Sequence, residues 1–271
     1  MRRSPGRVLS AASIATLPRR DRILISACIA SITVLAWAYL FRLDRQMASS
    51  VEYDKAMAAM GMAVHGPWTV TDALFNFAMW AVMMIGMMAV SAAPMILLFA
   101  AAKTRRGQSG VSPEVLAFGL GYFVVWTGFS AIATLGQWLL HQTAMLSPAM
   151  AASSSRLGGV ILFAAGAYQL TPWKNVCLAH CRGPLGFLMT HWRDGSFGGF
   201  QMGLHHGLHC LGCCWALMAV LFVVGVMNLV WVAALAVFVL LEKFGPAGRL
   251  VTQVSGVAMA ALGIHLAVAG A

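Results

Sequence analysis

Residues 211–241 read LGCCWALMAVLFVVGVMNLVWVAALAVFVLL, thirty-one consecutive positions without a charged side chain. The hydrocarbon core of a bilayer takes about 20 apolar residues of helix. This run is therefore too long for one comfortable crossing and too apolar for a water-facing surface. The one turn signal inside it, Gly225-Val-Met-Asn228, divides it into two helices. The rest of the chain agrees: of 271 residues 60% are apolar and only 10% charged, where a soluble domain carries roughly 25% charge. The expected fold is all-α, a polytopic bundle of membrane helices.

Working outward from this run, apolar segments at 23–41, 74–102, 115–140, 155–171 and 199–223 precede its second half at 228–242, and 249–269 closes the series. Seven spans are expected. The first ends in Tyr39-Leu-Phe-Arg42 rather than in small residues, so it reads as a retained anchor and not as a cleaved signal. The segments between spans set the orientation. With the N-terminus in the cytoplasm, 14 of the 18 Lys and Arg fall on the inner side, and only Arg42, Arg45, Lys55 and Arg156 on the outer. The expected arrangement is N-terminus in and C-terminus out. It consists of a basic cytoplasmic segment at 1–22 and a single transmembrane domain at 23–271. The longest polar stretches are 42–58, outside, and a cytoplasmic loop at about 172–198. The net charge of +10 orients helices in this reading and calls for no nucleic acid.

Five of the six cysteines and five of the eight histidines fall within 177–214. At about 100° per residue, with His205 at 0°, His209 falls near 40°, Cys213 near 80°, His206 near 100°, Cys210 near 140° and Cys214 near 180°. One helix face thus presents imidazoles and thiols over two turns, and Cys177-Leu-Ala-His180-Cys181 brings further thiols from the preceding loop. Such groups facing hydrocarbon are costly, so they belong to the bundle interior or a wet cavity. Thiolate and imidazole together suit Cu(I) or Zn(II), and a reducing cytoplasmic side favours ligation over disulfides.

Methionine separates the two metals, because thioethers ligate Cu(I) and bind Zn(II) poorly. Met79, Met83 and Met87 form an i, i+4 stripe with Met84 and Met88 beside it, and Met57, Met60, Met62 and His65 precede it. The same stripe also reads as flexible core filler. Cu(I) is favoured over Zn(II).

Three stretches carry a family resemblance. They are Tyr168-Gln-Leu-Thr-Pro-Trp-Lys174 with Cys177-Leu-Ala-His-Cys-Arg-Gly-Pro184, Gly203-Leu-His-His-Gly-Leu-His-Cys-Leu-Gly-Cys-Cys-Trp215, and Met227-Asn-Leu-Val-Trp231 with Glu242-Lys243. Over roughly 70–270 the chain resembles a bacterial family of predicted metal-binding integral membrane proteins, a domain of unknown function. The resemblance implies metal ligands at Cys177, Cys181, His206, Cys210, Cys213 and Cys214. His180, His205, His209, Met83 and Met87 are additional candidates. It implies a bacterial inner membrane, crossed several times.

The expected function is binding, sequestration or transport of copper through a Cys/His cluster near the cytoplasmic face. A metallochaperone or another membrane subunit is the kind of protein partner such a site would serve. No Walker motif, paired carboxylates or Ser/His/Asp set is present in the sequence, so ATP-driven pumping and hydrolysis have no support, and an enzyme is not the expectation. Two alternatives compete. Cys210-Leu-Gly-Cys213 has the spacing of a thiol–disulfide oxidoreductase pair, and bound copper would also serve a redox subunit. Asp72 and Glu114 sit at expected helix starts, where the dipole favours negative charge, and Glu242-Lys243 reads as a local pair at a helix end.

Overall fold

A computed structural model describes residues 16–60, 68–108, 111–143 and 154–269. Met62, His65, the side chain of Met57 and the first fifteen residues lie outside the described residues. Among the described residues ten helices follow one another: α1 (Arg19–Ala59), α2 (Val70–Arg105), α3 (Pro113–Gln142), α4 (Ser155–Gln169), α5 (Pro172–Arg182), α6 (Pro184–His191), α7 (Gly195–Ala219), α8 (Leu221–Val224), α9 (Leu229–Phe244) and α10 (Gly248–Ala269). No strand occurs among the described residues.

Local signals explain the boundaries. At α2 the Thr69 hydroxyl accepts from the Asp72 amide and the Asp72 carboxylate accepts from Thr69, a complete capping box. Pro113, Pro172 and Pro184 each open a helix, where a missing N–H costs nothing. Gly225, at φ 95°, ends the turn of α8, and the Asn228 side chain caps α9. The break expected at 225–228 is where the chain turns.

Among the described residues five helical segments are long and apolar enough to cross a membrane: Arg19–Met47, Val70–Arg105, Pro113–Gln142, Gly195–Val224 and Gly248–Ala269. The expected fourth and sixth spans are shorter. α4 has 15 residues and α9 has 16, each about 23 Å of helix against a core of about 30 Å. The Thr171-Pro172 step stops α4, and Gly245-Pro246 stops α9. Both long polar stretches are largely helical. The polar stretch 42–58 continues α1 as helix. The loop expected at 172–198 is folded into α5 and α6, because Thr171 caps one and Pro184 starts the other.

Helix contacts rest on close backbone approach. A Cβ on Gly203 of α7 would lie 2.0 Å from the Phe118 carbonyl of α3, and one on Gly159 of α4 would lie 2.6 Å from the Gly263 carbonyl of α10. Only a residue without a side chain allows those separations. α2, α3 and α7 enclose a core in which Met79, Met83, Met84, Met87 and Met88 are buried with Trp80, Phe99 and Trp126. The thiols of α7 belong to that same core.

Candidate metal centre

α7 divides the clustered side chains between two directions. His206, Cys210, Cys213 and Cys214 are buried, whereas His205 is exposed and His209 half-buried. The centre of the buried arc lies near Cys210, which displaces His205 from the face expected of it. α5 supplies Cys181, buried, and Cys177, half-buried. The two are one helical turn apart rather than on an irregular loop. Cys181 interacts with Cys210 and Cys213, and the Cys177 sulfur presses on Gly212, where an added Cβ would come within 2.8 Å. Tyr168 of α4 donates its hydroxyl to the Gly212 carbonyl and fixes this part of α7. Burial and the neighbouring Cys213 push the Cys177 thiol up from its ordinary range.

The thiols are partnered. Cys213 and Cys214 both donate to the Cys210 carbonyl, each at 3.0 Å. Cys210 lies 3.0 Å from the Tyr122 hydroxyl and accepts from the Lys243 ammonium at 3.0 Å. Lys243 also donates to Ser91, 3.2 Å away, and the Ser91 and Tyr122 hydroxyls both donate to the Met88 carbonyl. A polar network from α2, α3, α7 and α9 thus centres on one sulfur in a buried core. Among the described residues no three His, Cys, Asp or Glu side chains stand grouped to hold a metal ion.

His206 is the exception to this satisfaction. It is 4% exposed, stacked near Phe118 and Tyr122 with Phe187 edge-on, and its Nδ1 has no hydrogen-bond partner. A buried, unpaired imidazole nitrogen costs about 1–3 kcal/mol, and a soft metal would satisfy it. The other imidazoles lie outside the thiol core. His180 stacks on His209 at 4.4 Å between centroids, and His191 faces His205 at 5.5 Å. Met83 and Met87 are buried in α2.

Sequence reasoning missed Tyr122, Ser91 and Lys243. Their signal was a polar or charged residue on an otherwise apolar helix, and the sequence reading paired Lys243 with its neighbour Glu242. The structure separates those two. Glu242 bonds Lys174 of α5 at 2.8 Å and accepts from Gln169 at 3.1 Å, while Lys243 turns to Cys210. A helix rotates adjacent side chains by about 100°, so consecutive charges serve different neighbours.

No curated protein and no solved structure matches the chain. A family model for PpoB2, copper chaperone, matches residues 77–266, a range that includes every thiol of the core and its Tyr122, Ser91 and Lys243 partners. With more than two thirds of its length matched, the chain belongs to that copper chaperone family.

Proposed function

We propose that this protein is a multi-pass membrane copper chaperone of the bacterial inner membrane, which accepts Cu(I) on thiols and His206 and delivers it to a partner protein. The observation that carries the reading is one buried core holding Cys181 of α5 with Cys210, Cys213, Cys214 and the unpartnered His206 of α7. Cys177 stands at its edge. The donor set is soft, which suits Cu(I). Two or three ligands are enough for Cu(I), whereas tetrahedral Zn(II) needs four. Met83 and Met87 extend the soft lining along α2.

The membrane reading draws on the five long apolar helices and on the outer face of α3, where Leu116, Leu120 and Val124 are half or more exposed at four-residue spacing. α4 and α9 act as two short spans in this reading, giving seven with N-terminus in and C-terminus out. Arg106 lies 3.6 Å from Asp194, and Lys103 lies 3.6 Å from Glu114. The basic segments at 103–106 and 193 therefore share one end of the bundle, the cytoplasmic end by the distribution of Lys and Arg.

Elemental analysis of the anaerobically purified protein tests the reading. Copper that disappears in Cys210→Ser/Cys213→Ser is the expected result. One equivalent of zinc, equally lost, would point to a structural clamp instead. No metal, with Cys210 and Cys213 cycling against a quinone, would favour the oxidoreductase.

A further inference from the structure

The thiol core is buried, so copper needs a way to it from the surface. Along α7, Met202, His205, His209 and Cys213 are spaced by three, four and four residues. That keeps them within about 80° of arc over a rise of about 16 Å. His205, His209 and Cys213 each have a soft or imidazole partner on the neighbouring short helices. His191 of α6 faces His205 at 5.5 Å, His180 of α5 stacks on His209 at 4.4 Å, and Cys181 of α5 meets Cys213. Met202 is buried, and from His205 to Cys213 exposure falls in the same order. His205 is exposed, His191, His180 and His209 are half-buried, and Cys181 and Cys213 are buried.

Two independent features mark the imidazole levels as places for a ligand. A cavity of about 300 Å³ is lined by His191, His205 and Met202 together with Thr190, Trp192 and Arg193. Deeper in, the Nδ1 atoms of His180 and His209 lie 2.9 and 2.8 Å from the carbonyls of Val176 and His205. A carbonyl only accepts, so each Nδ1 carries the hydrogen and each Nε2 keeps its lone pair for a metal. Backbone-anchored imidazoles of this kind are held in orientation for ligation. Phe187 stands between the levels, 4.8 Å from the His191 ring and 6.2 Å from the His209 ring.

We propose that His191, His205 and Met202, then His180 and His209, form an access path along which Cu(I) moves by ligand exchange to Cys213 and Cys181. The inference rests on the copper reading above. Steps of four residues along α7 are about 6 Å, short enough for the incoming ligand to bind before the outgoing one leaves. At each step one Cu–ligand bond forms and one breaks, and the copper stays Cu(I). At the last, a Cu–S bond to Cys213 replaces a Cu–N bond to His209, and the thiol proton passes to the freed imidazole. The order from imidazole to thiolate runs from weaker to stronger soft-metal ligands, which gives the movement its direction.

The test separates rate from capacity. Full-length protein in detergent is mixed under anaerobic conditions with the Cu(I) bicinchoninate complex, and loading is followed by stopped-flow loss of its colour. The final copper content is measured in the same samples. His191→Gln/His205→Gln and His180→Gln/His209→Gln should each load at least tenfold more slowly while reaching wild-type copper at equilibrium. His205→Gln alone, at an exposed position, should slow loading in the same direction and guards against a folding defect at the half-buried sites. His141→Gln, on α3, should load at the wild-type rate. Loading at the wild-type rate in all the path variants would overturn the path and leave the thiol site standing. Loss of equilibrium copper in His205→Gln would also overturn it, by making His205 part of the holding site. Wild-type copper that is unaffected by Cys210→Ser/Cys213→Ser would overturn the thiol reading itself.

Discussion

The ammonium of Lys243 lies 3.0 Å from the sulfur of Cys210, with both residues almost wholly buried. A buried cation is tolerated only where it is paired and hydrogen-bonded. Here a sulfur and the Ser91 hydroxyl supply the acceptors. The same cation would offset the negative charge of a copper ion held by two thiolates. Lys243→Met, similar in volume and neutral, should leave the helices folded and weaken Cu(I) retention about tenfold, or about 1.4 kcal/mol. Competition with a Cu(I) chelator measures it, and unchanged retention would remove Lys243 from the site.

His206 gives a sharper separation of packing from ligation. Its ring sits among Phe118, Tyr122 and Phe187, so a phenyl ring fits the same space. His206→Phe removes an unsatisfied nitrogen and should hold or raise stability by about 1 kcal/mol. Cu(I) affinity should fall at least tenfold in the same variant. A stable His206→Phe protein with wild-type affinity would show that the imidazole is filler.

The pair Lys174–Glu242, at 2.8 Å and with both side chains at most 2% exposed, ties α5 to α9 behind the thiols. Breaking a buried ion pair by removing one partner costs about 3–5 kcal/mol, whereas replacing both is close to neutral. Lys174→Met and Glu242→Leu should each lower the unfolding midpoint in detergent, and the double variant should recover most of the loss. Additive losses in the double variant would mean that the two side chains act separately.

Close approach of α3 and α7 predicts opposite outcomes at two glycines. Gly203→Ala would set a methyl 2.0 Å from the Phe118 carbonyl, whereas nothing lies within 4 Å of a methyl at Gly128. The first should destabilise by at least about 1–3 kcal/mol and disturb the thiol core. The second should stabilise by up to about 1 kcal/mol through helix propensity. Thermal unfolding of both, read by far-ultraviolet circular dichroism, gives the comparison.

These relationships show what a linear reading of this chain can reach. Apolar runs and the Gly225–Asn228 turn marked most helices, because a long apolar run leaves its buried backbone few alternatives to helix. That Cys210, Cys213, Cys214 and His206 share one side of α7 was also legible, since helical periodicity is local. What crosses between helices was not. Tyr122 and Ser91 each stand alone in an apolar run, and nothing near them in sequence points to Cys210. Lys243 beside Glu242 invited a local pairing that helix geometry forbids. The split of the histidines into buried His206 and the more exposed His180, His191, His205 and His209 depended on where α5 and α6 pack, which no periodicity of α7 contains.

In the proposed site copper is held by sulfur from α5 and α7. X-ray absorption at the copper edge, on protein loaded anaerobically with one equivalent of Cu(I), reads the ligand shell directly. The expected result is a low-coordinate shell dominated by sulfur, which loses sulfur scattering in Cys210→Ser/Cys213→Ser. A shell of nitrogen and oxygen alone, the same in wild type and variant, would contradict it.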